Sequence, residues 1–172
     1  TQNAAKLLYA AREHHVLTVY SYQNNMHLVG DTGAPTVRMR MKRQNKPVAD
    51  IAKVPPPVGP APTPRLVAEV KPRDGDIIFE KFSPNAFLGT CFEWWLKKYA
   101  IKTIILTGVN VATGISGTAR EAINLGYYAV IARDCVGTGS KLDYDVAVAS
   151  IERLFDVVDA DEIIEAWKKA KT

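Results

Sequence analysis

Short apolar runs alternate with amphipathic segments along most of the chain. Residues 3–13 place Leu7, Leu8 and Ala11 on one face, which is the spacing of an amphipathic helix. Runs rich in β-branched and aromatic residues predict strands at 16–20, 76–80, 103–107, 128–132 and 157–158. Helical patterns fill the intervals at 86–99, from the glycine-rich turn 108–117 through Leu125, at 143–155 and from Asp159 onward. Gly126 is predicted to end the helix before it, and the spacing of Asp159 and Glu162 predicts a capping box at the start of the last helix. The alternation predicts an α/β fold whose sheet is doubly wound and mostly parallel, with helices on both faces.

The segment 23–66 breaks this pattern. It contains eight of the ten prolines, six of them between Pro55 and Pro64, which argues against a helix or a central strand. An irregular segment this long in a compact domain is functional, disordered or an oligomerisation arm. It also carries a basic run without an acid between Asp31 and Asp50: Arg38, Arg40, Lys42, Arg43 and Lys46. We interpret the run as a solvated loop or arm rather than a nucleic-acid site, because it lacks the interleaved aromatic residues of a single-strand binder.

Composition narrows the class of protein. With 172 residues, 47% of them apolar and 23% charged, the chain is the size of a single domain spanning 1–172. It has no apolar run of bilayer-spanning length and does not begin like a signal peptide. Cys91 and Cys135 are too few and too widely separated for a disulfide framework or a metal knuckle, and we expect both to be buried small hydrophobes. These features predict a cytoplasmic protein without a membrane segment, metal or cofactor.

Two strand ends carry candidate chemistry. Lys81 directly follows the strand predicted at 76–80, where ligands bind in an open parallel sheet, although such a lysine is often an ordinary surface residue. The turn 107–114 joins a buried strand to a helix start, where unpaired backbone N–H groups favour an oxyanion or carboxylate. It lacks the glycine patterns of nucleotide loops, and a tight structural turn would have the same spacing.

The same two regions resemble the isochorismatase-like hydrolases. The residues from Asp74 to Thr90, DGDIIFEKFSPNAFLGT, are similar to the family's lysine segment. The residues LTGV at 106–109, TAREA at 118–122, Gly126 and Arg133-Asp134 are similar to its nucleophile segment, in the same order and at the same spacing. The resemblance covers most of the chain outside the proline-rich segment.

The resemblance implies an Asp–Lys–Cys triad of which this sequence retains one member. The lysine corresponds to Lys81, whereas Gly114 occupies the nucleophile position. The family's aspartate lies on a first strand, upstream of the helix at 3–13, and no residue here matches it. Because that strand lies mid-sheet, its absence from 1–172 would leave two sheet edges unpaired. We expect it to come from further residues of the protein, in preference to another chain or a rearranged sheet.

Glycine at the nucleophile position is also found in the phenazine- and siderophore-pathway isochorismatases, which hydrolyse a vinyl ether without a covalent adduct. The residues YSYQ at 20–23 resemble their YTAQ, which makes Gln23 a candidate substrate ligand; Asn110, Val111 and Phe87 are the others. Phe82, Pro84 and the residues 118–120 depart from that branch, and 118–120 are closer to the cysteine-bearing enzymes.

Three functions follow from the resemblance. The first is a hydrolase of isochorismate or another small carboxylated substrate, acting without a cysteine intermediate. The second is a catalytically inactive member that serves in binding or assembly, and the third is an amidohydrolase acting through water. The proline-rich segment and the helix bearing Trp94 and Trp95 also predict a homo-oligomer.

Overall fold

A computed structural model of the chain describes residues 1–23 and 66–170, together with positions 38, 39, 41, 42, 45 and 47. The chain divides into two compact units, one of Thr1–Tyr22 with Arg65–Thr172 and one of Gln23–Pro64. Almost all described residues belong to the first unit, to which the following account is confined. The predictions for the proline-rich segment and its basic run therefore lie outside the described residues, apart from those few positions. Of these, 38, 39, 41 and 42 are helical, so the prediction that the segment contains no helix is wrong there.

Helices and strands alternate in the first unit as the apolar pattern predicts. The helices are α1 (Gln2–Glu13), α2 (Phe92–Lys98), α3 (Ser116–Asn124), α4 (Lys141–Ile151) and α5 (Ala160–Ala170). The strands are β1 (Val19–Gln23), β2 (Ile77–Lys81), β3 (Thr103–Val109), β4 (Tyr128–Gly137) and β5 (Asp156–Val158). A π-helical turn, Val111–Ile115, connects β3 to α3. The predicted α/β fold class is confirmed.

The strands of the described residues form two sheets. One has the order β3-β4-β5 with parallel pairing, in which Ile104 lies opposite Ala129 and Val130 opposite Asp156. The other contains only β1 and β2. Both sheets contribute to one core cluster, since Phe79 of β2 and Ile104 of β3 are buried in it.

The strand β3 is less covered than its apolar sequence predicts. Among the described residues it has β4 as its only neighbour in the sheet. Ile104 is buried, but Thr107 to Val109 are exposed and Val109 is 83% accessible. The sequence predicts a strand buried over 103–107. The prediction is correct for its centre, where Ile104 is buried and Ile105 and Leu106 are half-buried, and wrong for its two ends, which are exposed.

The helix predicted at 86–99 is also too long, because α2 begins only at Phe92. Side chains in the preceding residues bond to nearby backbone groups and compete with helix formation. The Asn85 Oδ1 accepts the Phe87 N–H at 2.9 Å, and the Thr90 hydroxyl accepts the Phe92 N–H at 3.1 Å. Gly89 has a φ of 68°, which interrupts any helix at that point.

A partly buried ion pair fastens α1 to the start of β2. The Arg12 guanidinium lies 2.7 Å from the Asp76 carboxylate and also donates to the Tyr20 hydroxyl at 3.3 Å. Asp76 additionally accepts the Arg73 N–H at 2.8 Å. Since Asp76 immediately precedes β2, these bonds fix the strand that ends at Lys81.

No helix in the two described ranges is both long and apolar enough to cross a bilayer.

At the start of α5, the Asp159 N–H donates to the Glu162 carboxylate at 3.1 Å, which confirms the predicted capping arrangement. Gly126 ends the segment after α3 with a φ of 84°, also as predicted.

Candidate active site

The side chain of Lys81 is largely buried. Lys81 is the last residue of β2 and is only 9% exposed. Its Nζ donates to the Ser83 carbonyl at 3.2 Å and to the Pro84 carbonyl at 2.8 Å. Burial lowers the pKa of the Lys81 ammonium. A buried ammonium held by two carbonyls is unlike a surface lysine, whose charged end remains in water.

Position 114 faces this ammonium. Gly114 lies in the π-helical turn, and a Cβ at that position would be 3.9 Å from the Lys81 Nζ and 3.6 Å from the Pro84 carbonyl oxygen. Both distances are ordinary van der Waals contacts, so a side chain at 114 would fit and would point toward the ammonium. The two regions singled out in the sequence therefore meet at the carboxyl ends of β2 and β3.

The turn that follows β3 is partly closed by its own hydrogen bonds. The Asn110 Oδ1 accepts the Ala112 N–H at 2.8 Å, and the Asn110 carbonyl accepts the N–H groups of Thr113 and Ile115. These three amides are thus already paired. The expectation of a turn with freely available N–H groups is correct only in part.

The remaining candidates occupy different environments. Val111 is fully buried, so a ligand would meet its backbone rather than its side chain. Phe87 is partly buried, with its ring centroid 4.9 Å from that of Phe92 and 6.0 Å from that of Tyr127. Gln23 is exposed at the end of β1 and belongs to the second unit.

The two cysteines lie in contrasting places. Cys91 immediately precedes α2 and is exposed, so the expectation that it is buried is wrong. Cys135 is buried on β4, and burial together with the adjacent Asp134 carboxylate raises the pKa of its thiol to about 12. A thiol with that pKa is almost wholly protonated at neutral pH and is a poor nucleophile.

Sequence reasoning missed the groups that hold Lys81 in place. These are the carbonyls of Ser83 and Pro84. Sequence reasoning also missed the buried Thr118, whose hydroxyl accepts the Ala86 N–H at 3.0 Å. The Ser-Pro-Asn run at 83–85 is typical of a turn and could have indicated an irregular segment. Within the described ranges, no group of three His, Cys, Asp or Glu side chains is arranged to hold a metal ion.

Comparison with known proteins finds relatives that match a little over half of the chain. The chain is 34% identical over 92 residues to the isochorismatase family protein YwoC of Bacillus subtilis, a match covering 54% of this chain and 49% of YwoC. It is 27% identical over 107 residues to the ureidoacrylate amidohydrolase RutB of Variovorax paradoxus, covering 61% of this chain and 42% of RutB. The chain thus spans about half the length of the curated relatives it matches.

A solved structure shares the fold over nearly the whole chain. An isochorismatase family protein from Burkholderia thailandensis superposes with a TM-score of 0.76 at 22% identity, covering 96% of this chain and 81% of that protein. The isochorismatase domain model matches residues 1–162, which is most of the sequence. The chain therefore belongs to the isochorismatase family.

Proposed function

We propose that this protein hydrolyses a small carboxylated or amide-like substrate without forming a covalent cysteine intermediate. The observation that carries the proposal is the buried Lys81 ammonium facing Gly114. We place the reacting group beside this charge, and position 114 offers no side chain that could attack. Covalent catalysis needs an activated nucleophile within reach of its base.

For an amide, the proposed reaction is direct attack by water. The water oxygen bonds to the carbonyl carbon and the carbonyl electron pair moves onto oxygen, giving an oxyanion. Lys81 stabilises that oxyanion through its ammonium, a role that electrostatic groups fulfil best in a buried site. Collapse of the intermediate breaks the C–N bond, and the amine leaves with a proton.

For a vinyl ether such as isochorismate, a proton is first added to carbon. Water then adds to the resulting cation, and the C–O bond breaks to give a ketone and an alcohol. Lys81 would bind the substrate carboxylate in this case, because a fixed positive charge attracts an anionic group.

Both reactions need a proton donor or acceptor, which we place on a strand outside the described residues. The division of the sheet supports this placement. The two-stranded sheet β1-β2 and the three-stranded sheet β3-β4-β5 share one core, yet β3 has a neighbour on one side only within the described residues. A parallel strand lying between the two sheets would pair the backbone groups at that edge. Its carboxyl end would lie beside Lys81.

The test is a substrate panel assayed with the full-length purified protein: isochorismate, ureidoacrylate and a series of small primary amides. RutB is named for ureidoacrylate, which makes an amide the first choice of substrate. We expect hydrolysis of at least one member. An absence of hydrolysis across the panel, with the protein shown to be folded, would favour the alternative of an inactive family member that serves in binding or assembly.

We also propose that the protein self-associates. Trp94 of α2 is 56% exposed, and Leu142 and Val146 of α4 form a second exposed apolar surface. Such side chains are commonly covered by a second subunit. Light scattering at micromolar concentration should give a mass of at least two chains, and Trp94→Glu or Val146→Glu should lower it, according to which surface is buried. The mass of a single chain for the unaltered protein would contradict the proposal.

A further inference from the structure

The residue Ala86 is held at both of its backbone polar groups. Its N–H donates to the Thr118 hydroxyl at 3.0 Å, and its carbonyl accepts from the Thr90 hydroxyl. Ala86 and Thr118 are buried, with Thr118 only 4% exposed. The bond to Thr118 joins the segment after β2 to α3, which lies some thirty residues later in the sequence.

Hydrogen bonds within the segment 81–86 connect the position of Ala86 to that of the Lys81 ammonium. The Ser83 hydroxyl donates to the Asn85 carbonyl at 2.8 Å. The Pro84 carbonyl, two residues before Ala86, is the closer of the two acceptors of the Lys81 ammonium. A displacement of Ala86 would therefore move the acceptor that holds the ammonium.

Gly114 and Thr118 are four residues apart, about one helical turn, and so lie on the same side of the chain. Position 114 faces the Pro84 carbonyl and the Lys81 ammonium, while Thr118 binds Ala86. The helical region from the π-turn into α3 thus meets the segment at two places. At the second of these places, the Thr118 hydroxyl joins the two elements by a hydrogen bond.

We propose that Thr118 is a positioning residue, which holds the segment 81–86 against α3 through Ala86 and thereby fixes the Lys81 ammonium beside position 114. The inference rests on the proposed function in that Lys81 is taken to stabilise the reacting group. It assigns to Thr118 a role beyond packing, because displacement of a catalytic group by about 1 Å can cost about 100-fold in rate.

The first test compares Thr118→Val, which keeps the shape but removes the hydrogen-bond acceptor, with Thr118→Ser, which retains it. Thr90→Val is the matched control. It also removes a hydrogen bond to Ala86, but that bond is local, between residues four positions apart, and does not join the segment 81–86 to α3. We expect Thr118→Val to lower kcat about ten-fold with a smaller change in KM, by analogy with loosely held catalytic groups. Thr118→Ser should restore most of the rate, and Thr90→Val should lower Tm while leaving kcat within about two-fold of the unaltered protein.

The second test needs no substrate. Lysine side chains labelled with ¹⁵N allow the pKa of Lys81 to be followed by NMR. Burial is the cause of the lowered pKa. In Thr118→Val the loosened segment should admit water, and the pKa of Lys81 should rise toward its ordinary value; Thr118→Ser and Thr90→Val should not change it.

The two tests separate failure of this inference from failure of the proposed function. If no substrate is found but the pKa of Lys81 rises in Thr118→Val alone, the positioning role of Thr118 is supported and the proposed hydrolase activity is contradicted. If Thr118→Val lowers Tm while kcat and the pKa of Lys81 remain those of the unaltered protein, Thr118 is a packing residue and the inference is overturned.

Discussion

The substitution Lys81→Ala is expected to lower kcat/KM by about 100- to 1000-fold, the scale measured when one electrostatic stabiliser is removed. The ammonium is buried and held by two carbonyls, so no other charge can easily take its place. The measurement is steady-state hydrolysis of the best substrate of the panel. Lys81→Met should lose a similar factor, because it keeps the volume of the side chain and removes the charge.

The same role for Lys81 predicts a dependence on pH. Burial lowers the pKa of Lys81 from its ordinary 10.5, so the ammonium loses its proton at a lower pH than a surface lysine does. The rate should therefore fall as pH rises through the lowered pKa, and this alkaline decline should be missing in Lys81→Met. Lys98→Ala, on the exposed side of α2, serves as the control and should retain the full rate and the full profile. An unaltered kcat/KM in Lys81→Met would show that Lys81 takes no part in the reaction.

The substitution Gly114→Cys, made with Cys91→Ser to remove the exposed thiol, should create a reactive cysteine. A Cβ at 114 meets no atom closer than 3.6 Å, and the φ of Gly114 is not in the left-handed region, so the backbone can accept the change. The new thiol would lie beside the Lys81 ammonium, which stabilises the thiolate and lowers the pKa of the thiol. Cys135 is the internal reference, since the pKa of its thiol is about 12.

At neutral pH we expect iodoacetamide to alkylate the thiol introduced at position 114 more than about 1000-fold faster than that of Cys135, because roughly three pKa units separate even an ordinary thiol from that of Cys135. The rates can be read from peptide mass spectra over time. When Lys81→Met is added, the alkylation rate of the thiol at position 114 should fall about ten-fold, because the pKa of that thiol should rise by roughly one unit. Equal alkylation with and without the lysine charge would show that the ammonium does not face position 114 in solution.

The sequence predicts those parts of the fold that depend on local pattern. The strands β2 to β5 follow runs of β-branched residues, and Gly126 marks the turn after α3 because a left-handed φ favours glycine. The helix predicted at 86–99 is too long for an equally local reason, which is that Asn85 and Thr90 bond to the backbone instead.

The site is harder to predict because its contacts are not local. Lys81 and Gly114 can be chosen from the resemblance, but the contact of the ammonium with the Pro84 carbonyl depends on how the segment after β2 folds. The anchorage of Ala86 on Thr118 joins residues 32 positions apart, and no pattern in either segment indicates it. The exposure of Cys91 depends in turn on where α2 begins.

The central claim, hydrolysis without a cysteine adduct, is tested most directly by the double variant Cys91→Ser/Cys135→Ser. Its kcat should remain within about two-fold of the unaltered protein on the best substrate of the panel, because neither thiol lies at position 114 and that of Cys135 is protonated at neutral pH. Intact-protein mass spectra of the unaltered protein, quenched during turnover, should show the mass of the free chain alone. Loss of activity in the double variant, together with an acyl adduct on Cys91 or Cys135 of the unaltered protein, would contradict the claim.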